Sequence, residues 1–249
     1  MSAEHVDILG ISYSTCDEQA VLGRIAEAVR TRKPFAIIQP HFFHAVLGRR
    51  EKKILDLYRR YDLAIPDGYG MYAAGNFLFG KGNAFPKIFN GTDLYETLLK
   101  EADRSGWRIF FLGDTEQTLQ ALRSRISAAY PGLSVAGTHP GFGEVDDRNM
   151  VSAINASAAD ILMIGMGTPK QDVWLWKHCE TLRVPVVMTV GAGIGFMSGR
   201  KKRAPETLRH LHLEWLFRFF QEPLRLWRRY LLGIPRFMFY IFLQKIRQS

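Results

Sequence analysis

DILMIGMGTPKQDVWLWKHCETLRVPVVMTVGAG, residues 160–193, holds two apolar, β-rich runs around a helical pattern. DILMIGMG and VPVVMTVGAG read as strands ending in glycine, and KQDVWLWKHCETLR reads as the helix between them. Strand, helix and strand in that order predict a parallel pair covered by the helix. Working outward, the same alternation recurs. VDILGISY (6–13) and FAIIQP (35–40) flank the amphipathic segment DEQAVLGRIAEAVRTRK. DLAIP (62–66), RIFFLGD (108–114) and LSVAGTH (133–139) are further strand candidates, and TEQTLQALRSRISAAYP is a further helix. The expected fold is α/β, a largely parallel, Rossmann-like sheet with helices on both faces.

Length and composition agree with a globular chain. Its 249 residues are 47% hydrophobic and 23% charged, ordinary values for a folded protein with a sizeable core. Two cysteines, Cys16 and Cys179, are too few for a disulfide framework or a zinc site, and fit a reducing compartment. MSAEHVDILG carries no basic region followed by an apolar stretch, so no signal peptide is expected.

The charge is placed unevenly. From Ser198 onward twelve Lys and Arg face three Asp and Glu, a surplus equal to the whole chain's +9. The chain is therefore expected to divide into a body, residues 1–197, and a basic amphipathic C-terminal appendage, residues 198–249. The body itself is read as two halves, about 1–105 and about 106–197. In FRFFQEPLRLWRRYLLGIPRFMFYIF (217–242) arginines punctuate an aromatic and aliphatic run. The apolar part, LLGIPRFMFYIFL (231–243), is too short for a membrane span of about 20 residues. A helix lying on an anionic membrane surface fits it, and packing on the body or on another subunit is the alternative.

Three glycine clusters follow strands, where a parallel sheet binds its ligands. They place Gly113 and Asp114, then Gly165, Gly167, Pro169 and Lys170, then Gly191 and Gly193 as candidates for nucleotide binding. Glycine lets a backbone approach phosphate, and the start of a helix favours an anion. Gln171 falls in the first turn of the helix that Thr168-Pro169 begins. The chain lacks both the GxxxxGK[ST] and the GxGxxG spacings. In AIPDGYGM, Asp67 follows a strand directly. An Asp before Gly is first of all a turn former, and its second reading is a general base at the sheet's carboxyl edge. Asp93 in FNGTDLYETLLK is first of all a helix cap. There is no DxD motif to hold a divalent cation. His41, His44, His139, His178, His210 and His212 form no metal-ligand pattern, so neither metal nor cofactor is expected.

GMGTPKQDVW, GRKKRAP and LEWLFRFFQEPLRLWRRYL, with IPDGYGM and NGTDL before them, resemble the signature blocks of the WecG/TagA/CpsF glycosyltransferases. The resemblance covers roughly residues 6–235. It implies an inverting, metal-independent transfer of a sugar from a UDP-sugar to a polyprenyl-diphosphate-linked glycan. Such an enzyme works in bacterial polysaccharide biosynthesis, such as that of exopolysaccharide, as a peripheral protein at the cytoplasmic face of the inner membrane. By position, Asp67 matches the family's proposed base and Gln171 its active-site glutamine, with Asp172 standing where Glu is usual. Arg218, Arg225 and Arg228 match arginines expected to close over the diphosphate. Offsets of seven and ten place these three on one helix face, provided that Pro223 does not break the helix. Asn90 and Asp93 fall in the matching NGTDL block, and with Gln39 and His41 they complete the expected substrate-binding set. Gln39-Pro40-His41 departs from the family's Thr-Pro-Asn, Ile88 replaces an Arg, and Gly195 replaces an Asp. These departures leave the donor open between an N-acetylmannosamine type and glucose or another hexose. The rival reading from the basic tail is a nucleic-acid- or membrane-binding module without catalysis. Aliphatic residues interleaved with arginine, and no nucleic-acid-binding signature, argue against nucleic acid as the partner. A homo-oligomer is compatible with the sequence.

Overall fold

The computed structural model describes residues 4–141 and 147–248. Six parallel strands form the central sheet: β3 (Phe35–Ile38), β4 (Leu63–Ala64), β5 (Arg108–Gly113), β6 (Ser134–His139), β7 (Ile161–Gly165) and β8 (Val186–Thr189). Their spatial order is β4-β3-β8-β7-β5-β6. All five pairings are parallel, with Ile37 opposite Met188 and Met163 opposite Met188 on the two flanks of β8. The expected α/β architecture is therefore present.

Alternate residues of each strand feed opposite faces, as a period of two requires. Ile38, Leu112, Leu162 and Ile164 enter one core, while Ile37, Phe111, Ile161 and Met163 enter the other. Helices α1 (Glu18–Thr31), α5 (Gly91–Ser105), α6 (Glu116–Ala129) and α9 (Gly193–Met197) cover the second face through Val21, Leu98, Leu122 and Ile194. The first face receives α2 (Phe42–Arg50), α3 (Lys52–Tyr58), α4 (Tyr69–Phe79), α7 (Asp147–Ala156) and α8 (Lys170–His178).

One expected strand is corrected. VDILGISY is not one element of the main sheet but a separate antiparallel hairpin, β1 (His5–Ile8) with β2 (Ile11–Ser14). Leu9 and Gly10 both adopt positive φ, at 55° and 87°, the geometry of a two-residue hairpin turn. Leucine at the first of these positions conceals the turn from sequence reading.

The C-terminal segment is helical but broken. It comprises α10 (Glu206–His210), α11 (Glu214–Gln221), α12 (Pro223–Trp227), a π-helical turn (Arg228–Leu232) and α13 (Gly233–Gln248). Helix α13 packs on α2 and α4 and places Phe237 and Ile241 in the first core. Lys245 donates to the Leu78 carbonyl, and Gln244 bonds the backbone of Asp7 and Leu9. No helix among the described residues is long and apolar enough to cross a membrane.

Candidate active site

Strand β3 leads to β4 on one side of the sheet, while β5 starts the other side and β8 returns beside β3. A crevice forms outside the carboxyl ends of strands at such a reversal. Here it is a cleft of about 1530 Å³, roofed by the C-terminal helices. That exceeds the roughly 300–1,000 Å³ of a single small-molecule pocket, and leaves room for two substrates.

Asp67 lies on the floor, three residues beyond β4. Its Oδ1 accepts from the Gly91 N–H at 2.9 Å. Surrounding protein strips it of water and raises its pKa above the ordinary carboxylate value, while the Gly91 bond and then Arg218 oppose that shift. A carboxylate poised this way takes a proton readily from a hydroxyl held beside it. Gln39 is only 6% exposed, yet neither Oε1 nor Nε2 has a partner among the described residues. A methyl group at Gly91 would stand 2.8 Å from Gln39 Oε1 and 3.4 Å from Asp67 Oδ1. Gly91 therefore lets the chain pass between these two polar groups.

The NGT segment is capped by Asn90, whose side chain accepts from the Thr92 N–H, rather than by Asp93. Both side chains also fasten the appendage. Asn90 Nδ2 donates to Glu214 at 2.8 Å, and Asp93 pairs with Arg203.

The glycine turns meet the cleft unevenly. Asp114, Gly165, Gly167, Lys170, Gly191 and Gly193 line it, whereas Gly113 and Pro169 do not. Gly113 serves the sheet instead, since a Cβ there would land 2.5 Å from the Gly165 carbonyl. Gln171 is buried, and its Oε1 accepts from both Gly167 N and Gly191 N, at 3.2 and 3.0 Å. It therefore ties two turns together and occupies amides that the sequence assigns to phosphate. Lys170 donates to the Gly141 carbonyl.

The arginines are not on one helix face. Chain direction changes at Glu222, with φ −134° and ψ 58°, and Pro223 begins a new helix. Arg218 on α11 stacks over Phe196 and faces the floor, Arg225 pairs with Glu222, and Arg228 lies over Trp227. All three line the cleft. A fourth, Arg229, reaches inward against His41 Nε2 and was not singled out by sequence. The π-helical turn that begins at Arg228 departs from α-helical register. His41 caps α2, His44 completes a reciprocal capping box with it, and His44 Nε2 meets Thr168 Oγ1 at 2.7 Å. Burial holds both imidazoles neutral, with His44 pushed down to about 3. Among the described residues no group of three His, Cys, Asp or Glu is arranged to hold a metal ion.

Behind Gln171, Asp172 is fully buried and accepts from Tyr61 Oη at 2.7 Å. Desolvation raises its pKa to about 7. Between pH 4 and 7 the folded chain thus keeps a proton that the unfolded chain has lost, so stability falls as pH rises through that window. The full difference is on the order of 4 kcal/mol against folding above pH 7. Asp172→Asn keeps the acceptor for Tyr61 and removes the charge. Its urea midpoint is expected to exceed that of the parent at pH 8 and to approach it at pH 4. An equal pH 4–8 decline in both proteins would refute this.

The sequence profile described as "Glycosyl transferase WecG/TagA/CpsF family" matches residues 6–249. The chain is similar to an N-acetylglucosaminyldiphosphoundecaprenol N-acetyl-β-D-mannosaminyltransferase of Staphylococcus aureus (strain MW2), at 31% identity over 95% of this chain and 91% of the relative. It is also similar to a protein of the same description from Bacillus spizizenii, at 30% identity over 71% of this chain and 66% of that relative. With a profile match over nearly its whole length, the chain belongs to the WecG/TagA/CpsF glycosyltransferase family.

Proposed function

We propose that the protein is an inverting glycosyltransferase that moves a sugar from a UDP-sugar to a polyprenyl-diphosphate-linked sugar. It would work at the cytoplasmic face of the bacterial inner membrane. The observation that carries this reading is the Asp67 carboxylate on the floor of a large cleft, between the glycine turns and the inward arginines. The acceptor hydroxyl gives its proton to Asp67 as its oxygen attacks the anomeric carbon. The bond from that carbon to the phosphate oxygen breaks on the opposite face, and UDP leaves with the electron pair. Guanidinium groups spread over the leaving diphosphate oppose its growing charge. Gln39, whose amide has no partner among the described residues, would orient sugar hydroxyls.

The relatives' names describe an N-acetylmannosaminyl donor group and an N-acetylglucosaminyl-diphosphoundecaprenol acceptor. The same acceptor class is proposed here. The donor is left to the residues at Gln39, His41 and Ile88. The test is transfer from a panel of UDP-sugars to short-chain lipid-diphosphate sugars, with and without chelator. Formation of a product of opposite anomeric configuration, undiminished by chelator, is expected. No transfer from any UDP-sugar, or strict dependence on an added divalent metal, would overturn the reading.

A further inference from the structure

Arg229 is a cation mostly withdrawn from water, and the Asp67 carboxylate that attracts it lies beyond ion-pair distance. Its guanidinium carbon sits over the Phe43 and Tyr230 rings, at 5.6 and 5.9 Å. Among the described residues no carboxylate lies within ion-pair reach of it, and its Nε has no partner. The polar contact that the described residues give it is His41 Nε2. That ring's Nδ1 already accepts from the Phe43 N–H at 3.1 Å, which leaves the proton of the neutral ring on Nε2. His41 thus offers Arg229 neither a negative charge nor a spare lone pair. Desolvation lowers its pKa to about 10, with repulsion from Arg218 and Arg225 in the same direction and Tyr230 and Asp67 opposing. A mostly buried charge with no carboxylate in ion-pair reach is unfavourable, so its retention at a cleft wall points to an anion that arrives from outside.

Resting on the glycosyltransferase reading, we infer that Arg229 binds a substrate diphosphate and is not a structural arginine of the appendage. The geometry suits a doubly charged oxyanion rather than a carboxylate. Three guanidinium groups, those of Arg218, Arg225 and Arg229, influence one another and line one wall, and a planar fork pairs two phosphate oxygens at once. The diphosphate can come from the nucleotide or from the lipid-linked acceptor. His41, edge-on to His44 at 4.3 Å, with His44 hydrogen-bonded to Thr168, links Arg229 to the turn that precedes α8.

The test compares the full chain with Arg229→Met and Arg229→Lys, by thermal melting and by titration with UDP, inorganic pyrophosphate and a short-chain lipid-diphosphate sugar. Arg229→Met is expected to melt no lower than the parent without ligand, because it removes an uncompensated charge. It is expected to weaken at least one diphosphate tenfold or more, with Arg229→Lys between the two. Selective loss of UDP affinity assigns the nucleotide, and selective loss of the lipid-diphosphate sugar assigns the acceptor. Either result supports the inference. Unchanged binding of every diphosphate by the variants, or a lower melting temperature with all affinities retained, overturns it and leaves the glycosyltransferase reading standing. Failure of the parent to bind any diphosphate overturns both.

Discussion

Asp67→Asn is expected to lower kcat by about 10²–10⁴, the range that general-base assistance supplies. It should leave folding and UDP binding close to those of the parent. Asparagine is isosteric, and its Oδ1 still accepts from the Gly91 N–H that now holds Oδ1 of the carboxylate. What it lacks is a second oxygen able to take a proton. The pH profile gives an independent readout. Burial raises the Asp67 pKa, and a base acts only when deprotonated. Activity should therefore fall on the acid side at a pH above the ordinary carboxylate range, through the folded pKa. Retention of most of kcat in Asp67→Asn would remove Asp67 from the chemistry. An acid limb unchanged in the residual activity would assign that limb to another group. Gln171 behaves differently in this account. Because it clasps the Gly167 and Gly191 turns, its loss should raise KM for the donor more than it lowers kcat.

The sheet was legible because its inner strands are short apolar runs closed by Gly, Pro or a polar residue, and burial on both faces leaves little else at those positions, whereas the edge strand β6 is only partly buried. The hairpin was not legible, because Leu9 occupies a positive-φ position that sequence reading reserves for Gly, Asn or Asp. Of the candidate site, Asp67 and most of the glycine turns could be placed, since the carboxyl ends of parallel strands converge, whereas Gln39 came only through the family resemblance. The side-chain partners could not. Asn90 and Asp93 carry the signature of a helix start, but nothing local announces Glu214 and Arg203 as their partners, 124 and 110 residues away. The arginines were misaligned for a geometric reason. The three were grouped by their match to the family, and the break at Glu222 with the π-helical turn at Arg228–Leu232 removes the single helix face that offsets of seven and ten implied.

The second large effect concerns membrane association, and it needs a surface variant rather than a truncation. Deleting residues 198–249 would strip Phe237 and Ile241 from the core beneath α2 and α4, so lost binding could reflect lost folding. The outer side of the appendage offers a cleaner target. Leu224, Leu231 and Phe239 are 92%, 62% and 57% exposed, with Arg228 and Arg236 also exposed nearby in the chain, and none of the three apolar residues lines the cleft. Large apolar side chains flanked by arginine are what an interfacial helix presents to anionic lipid. Sinking each into the acyl boundary contributes about 1.5 kcal/mol, so replacing all three by Ser should weaken binding to anionic vesicles roughly a thousandfold. Turnover of a soluble short-chain acceptor should stay at the parent rate, because Asp67, Gln39 and the inward arginines are untouched. Met238 and Phe242 on the same helix are exposed and also line the cleft. They join the proposed lipid-facing surface to the site, where a polyprenyl chain would leave the bilayer. Vesicle binding that survives the triple substitution would place the membrane contact elsewhere. A parallel loss of soluble turnover would show that these side chains support the cleft instead of docking it.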